Sequence, residues 1–190
     1  MHHRNTRNKG FTIVELLIVI VIIGILAAIT TVAFNGIQNR AKNARIGSAI
    51  DSYAKALAYY KSTNGAYPST VRVEGGSTIL DTVCLGDKYP ARDGFSAGTC
   101  YLYASSSSPS YRVSDSLNDA IGKVLSSQPD VSDMLISNDS SRGLFYTSST
   151  SDSTQAQIYY RIKGDQVCAR GTKVTGNDGG PYTACILFLN

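Results

Sequence analysis

The chain has 190 residues, 43% of them hydrophobic and 17% charged, a composition suited to one medium-sized globular domain plus an apolar anchor. Its formal net charge is +4; without Arg4, Arg7 and Lys9 the 18 basic residues fall to 15 against 14 acidic ones, leaving +1, which excludes a global basic field for nucleic acid. The histidines are His2 and His3 and tryptophan is absent, so the chain beyond them excludes Ser-His-Asp, Cys-His and His-based metal catalysis.

Residues 1–10 form a short, polar, basic leader with no capacity to fold. From Phe11 to Phe34 the chain is apolar, broken only by Thr12, Glu15, Thr30 and Thr31. As a helix this window is roughly 36 Å long, enough to cross a hydrocarbon core of about 30 Å. Arg4, Arg7 and Lys9, with His2 and His3 beside them and no acid among them, form a flank that stays cytoplasmic. The bulk of the chain is therefore expected outside.

Glu15 is the anomaly in this run. A carboxylate in hydrocarbon costs about 2.5 to 3.5 kcal/mol on insertion scales, which makes it a functional candidate whose partner must be named. A cut between Gly10 and Phe11 would create an α-amine at Phe11, four residues before Glu15 in the same chain and available to Glu15 of a neighbouring chain. Two other fates compete: a secretory signal cut after Thr31-Val32-Ala33, and an uncut anchor. The run is longer than a usual signal core and contains Glu15, which disfavours the first of these.

The stretch from Gly10-Phe11-Thr12-Ile13-Val14-Glu15 through Gly24-Ile25-Leu26-Ala27-Ala28-Ile29 resembles the processing site and amino-terminal helix of type IV pilins and pseudopilins. The resemblance implies a class III prepilin leader, cleavage after Gly10 by a prepilin peptidase, N-methylation of Phe11, and helices packed together as a filament core. Carried over by position, Glu15 guides docking by neutralising a neighbour's Phe11 amine. The implied partners are other pilin subunits and, indirectly, an assembly platform with its ATPases; nucleic acid enters only through the filament. The implied places are the cytoplasmic membrane, as a single-pass prepilin, and then an extracellular pilus serving adhesion, twitching motility or DNA uptake. One departure stands out: the proline common in the family beyond Leu-Ala-Ala-Ile is absent, leaving Thr30-Thr31 and Gly36 to soften the helix near Val32.

Beyond Phe34 the pattern becomes amphipathic. Ile46, Ile50, Tyr53, Leu57 and Tyr60 recur at spacings of four and three, with Arg40, Lys42, Arg45, Lys55 and Lys61 off that stripe. Helix is expected to about Ser62, with Asn64-Gly65 as the stop, giving a length of roughly 78 Å. Ala41, Ala44, Gly47, Ala49 and Ala54 permit close approach of a sheet, and the stripe reads as domain core, not a cofactor box. The expected division is a leader over 1–10, a helix over 11–62 with 11–34 in the membrane, and a β-rich head over 63–190.

Asn64 to Thr70 is a turn by composition, and its Gly65-Ala66-Tyr67-Pro68 resembles a sequence that often follows the long helix of pilins, placing Tyr67 where the helix meets the head. Strands are predicted over Ile79–Leu85, Thr99–Tyr103, Leu144–Thr147, Ile158–Lys163, Gln166–Arg170 and Thr183–Leu189, with Gly164-Asp165 as a hairpin turn and an antiparallel meander at the carboxyl end. A helix is predicted over Asp115–Leu125 and a further turn over Asp130–Met134. Ser105–Pro109 and Thr147–Thr154 read as polar loops open to glycosylation or partner contacts. The fold class is α+β, and the resemblance makes it the type IV pilin fold, a long helix packed on an antiparallel sheet.

The four cysteines allow three connectivities, and nearness favours Cys84 with Cys100 and Cys168 with Cys185. An exported head permits disulfides, and loops of about 16 residues would each gain roughly 3 kcal/mol in the chain-entropy model. The second pair resembles the carboxyl-terminal disulfide loop of many pilins. A four-thiolate zinc site is disfavoured because no C-x-x-C spacing occurs. Asn177-Asp178-Gly179-Gly180 offers oxygen ligands of the kind some pseudopilin heads use for calcium, yet also reads as a plain turn; no metal or other cofactor is expected. Asp130 and Asp133 read as surface or cap acids, so no catalytic residue is assigned. A head of ordinary size, without a long insertion or a basic aromatic patch, favours a major filament subunit. The alternative is a minor pilin or pseudopilin acting as a tip binding module.

Overall fold

The computed structural model describes residues 10–86, 89, 97–102, 110–112, 114–130, 141–148, 155–174 and 182–190. The expectations for residues 1–9, 105–109, 131–134, 149–154 and 177–180 lie outside them. The chain divides into two compact units, one up to Ala41 and one from Lys42 to Asn190.

Helix α1 covers Ile13–Asn64, 52 residues, and supplies most of the first unit. Its most apolar window has a mean hydropathy of 3.0 and none of it is buried by the chain itself, so by length and composition it can cross a membrane. The hydroxyl of Thr30 donates to the carbonyls of Leu26 (2.9 Å) and Ala27 (3.0 Å), and that of Thr31 to Ala27 (2.9 Å). The helix thereby absorbs both polar groups locally and runs unbroken past Thr30, Thr31 and Gly36. The softening expected near Val32 is not a break in this helix.

In the second unit the remainder of α1 lays Ile46, Ile50, Tyr53 and Leu57 into the core, with Ala49 and Ala56 between them. Tyr60, at the end of the same stripe, is only half-buried. The helix ends at Asn64, where Gly65 takes a positive φ of 80° and its N–H reaches Lys61 O.

The strands are β1 Val71–Glu74, β2 Ser77–Leu80, β3 Val83–Cys84, β4 Thr99–Leu102, β5 Ser110–Arg112, β6 Ser141–Arg142, β7 Leu144–Ser148, β8 Ala156–Lys163, β9 Thr172–Lys173 and β10 Tyr182–Leu189. A five-stranded antiparallel sheet of order β3-β7-β8-β10-β9 carries the core residues Leu144, Tyr146, Ile158, Tyr160 and Ile162, and a smaller sheet has order β5-β4-β6. Burial raises the Tyr146 and Tyr160 hydroxyls above the ordinary phenol range, which keeps them neutral. Tyr67 is buried and its hydroxyl donates to the carbonyl of the last residue, Asn190, at 2.9 Å.

Several boundaries differ from expectation. The strand predicted over Ile79–Leu85 is two strands, because Asp81 N turns aside to Thr70 O; β2 pairs with β1 across Gly75-Gly76, and β3 pairs with β7. That glycine pair was a hairpin signal in its own right. Helix α2 is Asp115–Gly122, capped by Ser114, and stops short of Leu125, whose N–H closes onto Ile121 O. Thr147 and Ser148 are not loop residues but the buried end of β7.

The largest difference is Gln166–Arg170, which is not a strand. β8 ends at Lys163 and pairs with β10, not with the segment that follows it. Side chains satisfy that segment instead: Gln166 N donates to Thr183 Oγ1, and Val167 O accepts from Asn43 Nδ2 of α1. Cys168 is bonded to Cys185 of β10, with Cα atoms 5.8 Å apart, and Cys84 of β3 is bonded to Cys100 of β4, with Cα atoms 5.7 Å apart. The Cys84–Cys100 bridge joins the five-stranded and three-stranded sheets. Cys168→Ser is expected to lower the unfolding free energy of the head by roughly 3 kcal/mol for its loop of about 17 residues, without affecting removal of the leader. Urea unfolding of the purified chain, beside the apparent mass of the membrane form, checks both parts; an unprocessed product would contradict the second.

Candidate assembly site

The start of α1 explains itself locally. A helix opens with four backbone N–H groups lacking intrahelical acceptors. Here Thr12 sits before the first helical residue and Glu15 three positions later, a Thr-x-x-Glu capping box. The Glu15 Oε2 atom accepts from Thr12 N at 2.9 Å and from Thr12 Oγ1 at 2.8 Å, while Glu15 N donates to Thr12 Oγ1 at 3.2 Å. The carboxylate also faces the positive end of the helix dipole. Thr12 is the residue that sequence reasoning passed over, although its spacing to Glu15 ahead of an apolar run is a known signal.

Around this cap everything is bare. Phe11 and Ile13 are each 84% exposed, and Leu16 to Ile23 stay between 49% and 61%. No face of the segment is covered by its own chain, so its burial must come from lipid or from other chains. A Cβ placed on Gly10, Gly24 or Gly36 would meet nothing within 4 Å. The isolated fold therefore does not need glycine at these three positions, and in the helix interior Gly24 and Gly36 each cost about 1 kcal/mol relative to alanine.

The structure brings Glu15 to Thr12. Gly10 and Phe11 precede the helix in the uncut chain, where the Phe11 nitrogen is a peptide nitrogen. The cysteines lie in the second unit, as two bonded pairs. Among the described residues no three or more His, Cys, Asp and Glu side chains gather where a metal ion could be held.

The second unit has its own electrostatic fastening, which no motif announced. Arg170, between Cys168 and Gly171, clasps Asp51 of α1 with Nε on Oδ1 at 2.6 Å and Nη2 on Oδ2 at 2.5 Å. This pairing lowers the Asp51 carboxyl below its ordinary value and raises the Arg170 guanidinium. The Arg170 backbone is held as well, since its N–H donates to Tyr160 Oη (2.8 Å) and its carbonyl accepts from the same hydroxyl (2.6 Å). The segment around Cys168 is thus seated on α1 by the Asp51 ion pair and the Asn43 amide, and on β8 by the Tyr160 hydroxyl.

Comparison with known proteins finds both a family model and similar proteins. Residues 5–31 match the family model of the prokaryotic N-terminal methylation motif. The type II secretion system core protein G of Klebsiella michiganensis is 37% identical over 92 residues, 48% of this chain and 65% of that protein. Core protein G of Pectobacterium carotovorum is 41% identical over 64 residues, 34% of this chain and 41% of that protein. A fimbrial protein of Neisseria meningitidis is 35% identical over 77 residues, 40% of this chain and 45% of that protein. The matched stretch spans between about two fifths and two thirds of these relatives. No solved structure matches the chain.

Proposed function

We propose that this chain, whose amino-terminal segment is that of the type IV pilins and pseudopilins, is a filament subunit that is processed after Gly10 and polymerises through α1. The observation that carries this is the bare apolar segment headed by a single capped acid. In a lone chain that segment is stable only in lipid; in a bundle of copies the same surface becomes helix-to-helix packing, and Gly24 and Gly36 permit close approach there. A Gly10 that the fold itself does not require points to an outside reader of the sequence, the peptidase. The cut frees the Phe11 amine, and Glu15, already held at the helix start by Thr12, is placed to exchange that cap for a neighbour's amine.

The filament we favour is an extracellular type IV pilus with this chain as its main subunit. The head contributes a folded outer body stapled by Cys84–Cys100 and Cys168–Cys185, suited to exposure outside the cell. A second reading, a pseudopilin of a type II secretion filament, draws on the relatives named core protein G.

Intact-mass and amino-terminal analysis of protein sheared from cell surfaces tests both. A dominant band starting at methylated Phe11 is the expected result. The same mature start confined to the cell envelope, with secretion lost on deletion, would transfer the assignment to the pseudopilin. A start at Met1, or after Ala33 in a soluble fraction, would overturn the filament reading altogether.

A further inference from the structure

The face of the five-stranded sheet turned away from α1 carries a small cavity. Tyr160 marks the α1 side, since its hydroxyl bonds Arg170, which clasps Asp51 of α1. Tyr146 lies on the same side, bonded to Pro68 O at 2.9 Å. Alternation along the strands then puts Phe145 and Thr147 of β7 and Gln157 and Tyr159 of β8 on the opposite face. The register sets Phe145 across from Tyr159 and Thr147 across from Gln157. With Thr82 these side chains line a half-open cavity of about 120 Å³.

The chemistry of the lining is specific. The Phe145 and Tyr159 rings stand 6.1 Å apart, tilted by 48°, and form an aromatic wall. The Thr82 and Thr147 hydroxyls and the Gln157 amide supply the polar part of the lining. Each can both donate and accept. Among the described residues no charged side chain is part of the lining; Arg161, on the same face, is buried against the rings of Tyr159 and Tyr182 and donates from Nε to Tyr159 Oη at 3.0 Å, so the described lining is neutral. The cavity is well below the roughly 300 Å³ at which drug-sized pockets begin, so it admits one substituent of a ligand and not a whole ring. Directly beside it, Phe188 of β10 is paired in register with Gln157, shares its face, and is 62% exposed.

We propose that this cavity takes the acetamido group of an N-acetylated sugar, with the pyranose ring lying on Phe188. An acetamido group is neutral, small, and carries one methyl, one N–H and one carbonyl. The methyl matches the Phe145 and Tyr159 wall, and the amide matches the Gln157 amide and the two hydroxyls. The apolar face of the sugar ring matches an exposed aromatic ring. All the described lining residues belong to the second unit.

The test is saturation-transfer NMR on the full-length chain in detergent micelles. The probes are the methyl β-glycosides of N-acetylglucosamine, N-acetylgalactosamine, glucose and galactose. The expected result is transfer strongest at the acetamido methyl of at least one N-acetylated probe, with binding about tenfold weaker for its parent sugar, as when a site built to hydrogen-bond a group meets an analogue lacking it. Gln157→Ala and Phe188→Ala, at the half-buried to exposed end of this face, should each reduce that transfer several-fold with an unchanged melting temperature. No transfer from any probe, equal transfer from the parent sugars, or full binding in both variants would overturn the proposal.

Discussion

Replacing Glu15 with Ala is expected to leave the chain inserted and processed while cutting the filament recovered from the cell surface by more than about tenfold. Insertion should improve, because a carboxylate in hydrocarbon costs about 2.5 to 3.5 kcal/mol. The lost cap costs on the order of 1 kcal/mol at the first turn only, a small matter for a 52-residue helix. Assembly is different, since removing one member of a desolvated charge pair costs about 2 to 5 kcal/mol and leaves the other member unpaired. Quantitative blots of membrane and sheared fractions measure both effects. Thr12→Ala is the informative companion: it removes the hydroxyl that holds the carboxylate but keeps the charge. If capping were all that Glu15 did, the two variants would behave alike. Normal filaments from a strain carrying only Glu15→Ala would end the docking role.

Gly171→Ala should destabilise the head by about 3 kcal/mol or more, among the largest effects of any single substitution outside the core. Gly171 has φ +77°, and a Cβ there would lie 2.0 Å from the carbonyl oxygen of Ile186 and 2.7 Å from its carbon. The left-handed conformation alone costs a side chain about 1 to 2 kcal/mol. The clash is with backbone and cannot be relieved by a rotamer, so β9 must leave β10, losing the pairs Lys173 with Cys185 and Thr172 with Ile186. Gly65→Ala is the control, with φ +80° and nothing within 4 Å of the added carbon. Urea unfolding of both variants isolates the steric part as their difference. Equal losses would show that β9 yields without cost and that the close approach at Gly171 is unimportant.

What was legible beforehand was whatever depends on neighbours in sequence. The stripe of Ile46, Ile50, Tyr53 and Leu57 is buried as its period requires, since a helix face is set by spacing alone. The alternation of Ile158, Tyr160 and Ile162 likewise identified β8. The capping role of Thr12 is equally local, a Thr-x-x-Glu spacing ahead of an apolar run.

Other features had no local signal. Gln166–Arg170 alternates like a strand, but a strand needs a partner, and the edge it would have joined is taken by β10. Arg161 is 1% exposed between the rings of Tyr159 and Tyr182, a burial no charged residue advertises in its sequence. The Asp51 and Arg170 pair joins residues 119 apart.

The sequence by itself determined the basic composition of residues 1–10, the membrane-length apolar helix with its lone acid, and the amphipathic continuation into a β-rich head. Each is a matter of composition and period within a few turns of chain. Only the tertiary structure decided which strands are neighbours, that the Cys168 loop is seated on α1, and that Phe145, Tyr159, Gln157 and Phe188 share one outer face. These follow from contacts between residues far apart in the chain, whose selection rests on packing and on satisfying buried hydrogen bonds across the whole head.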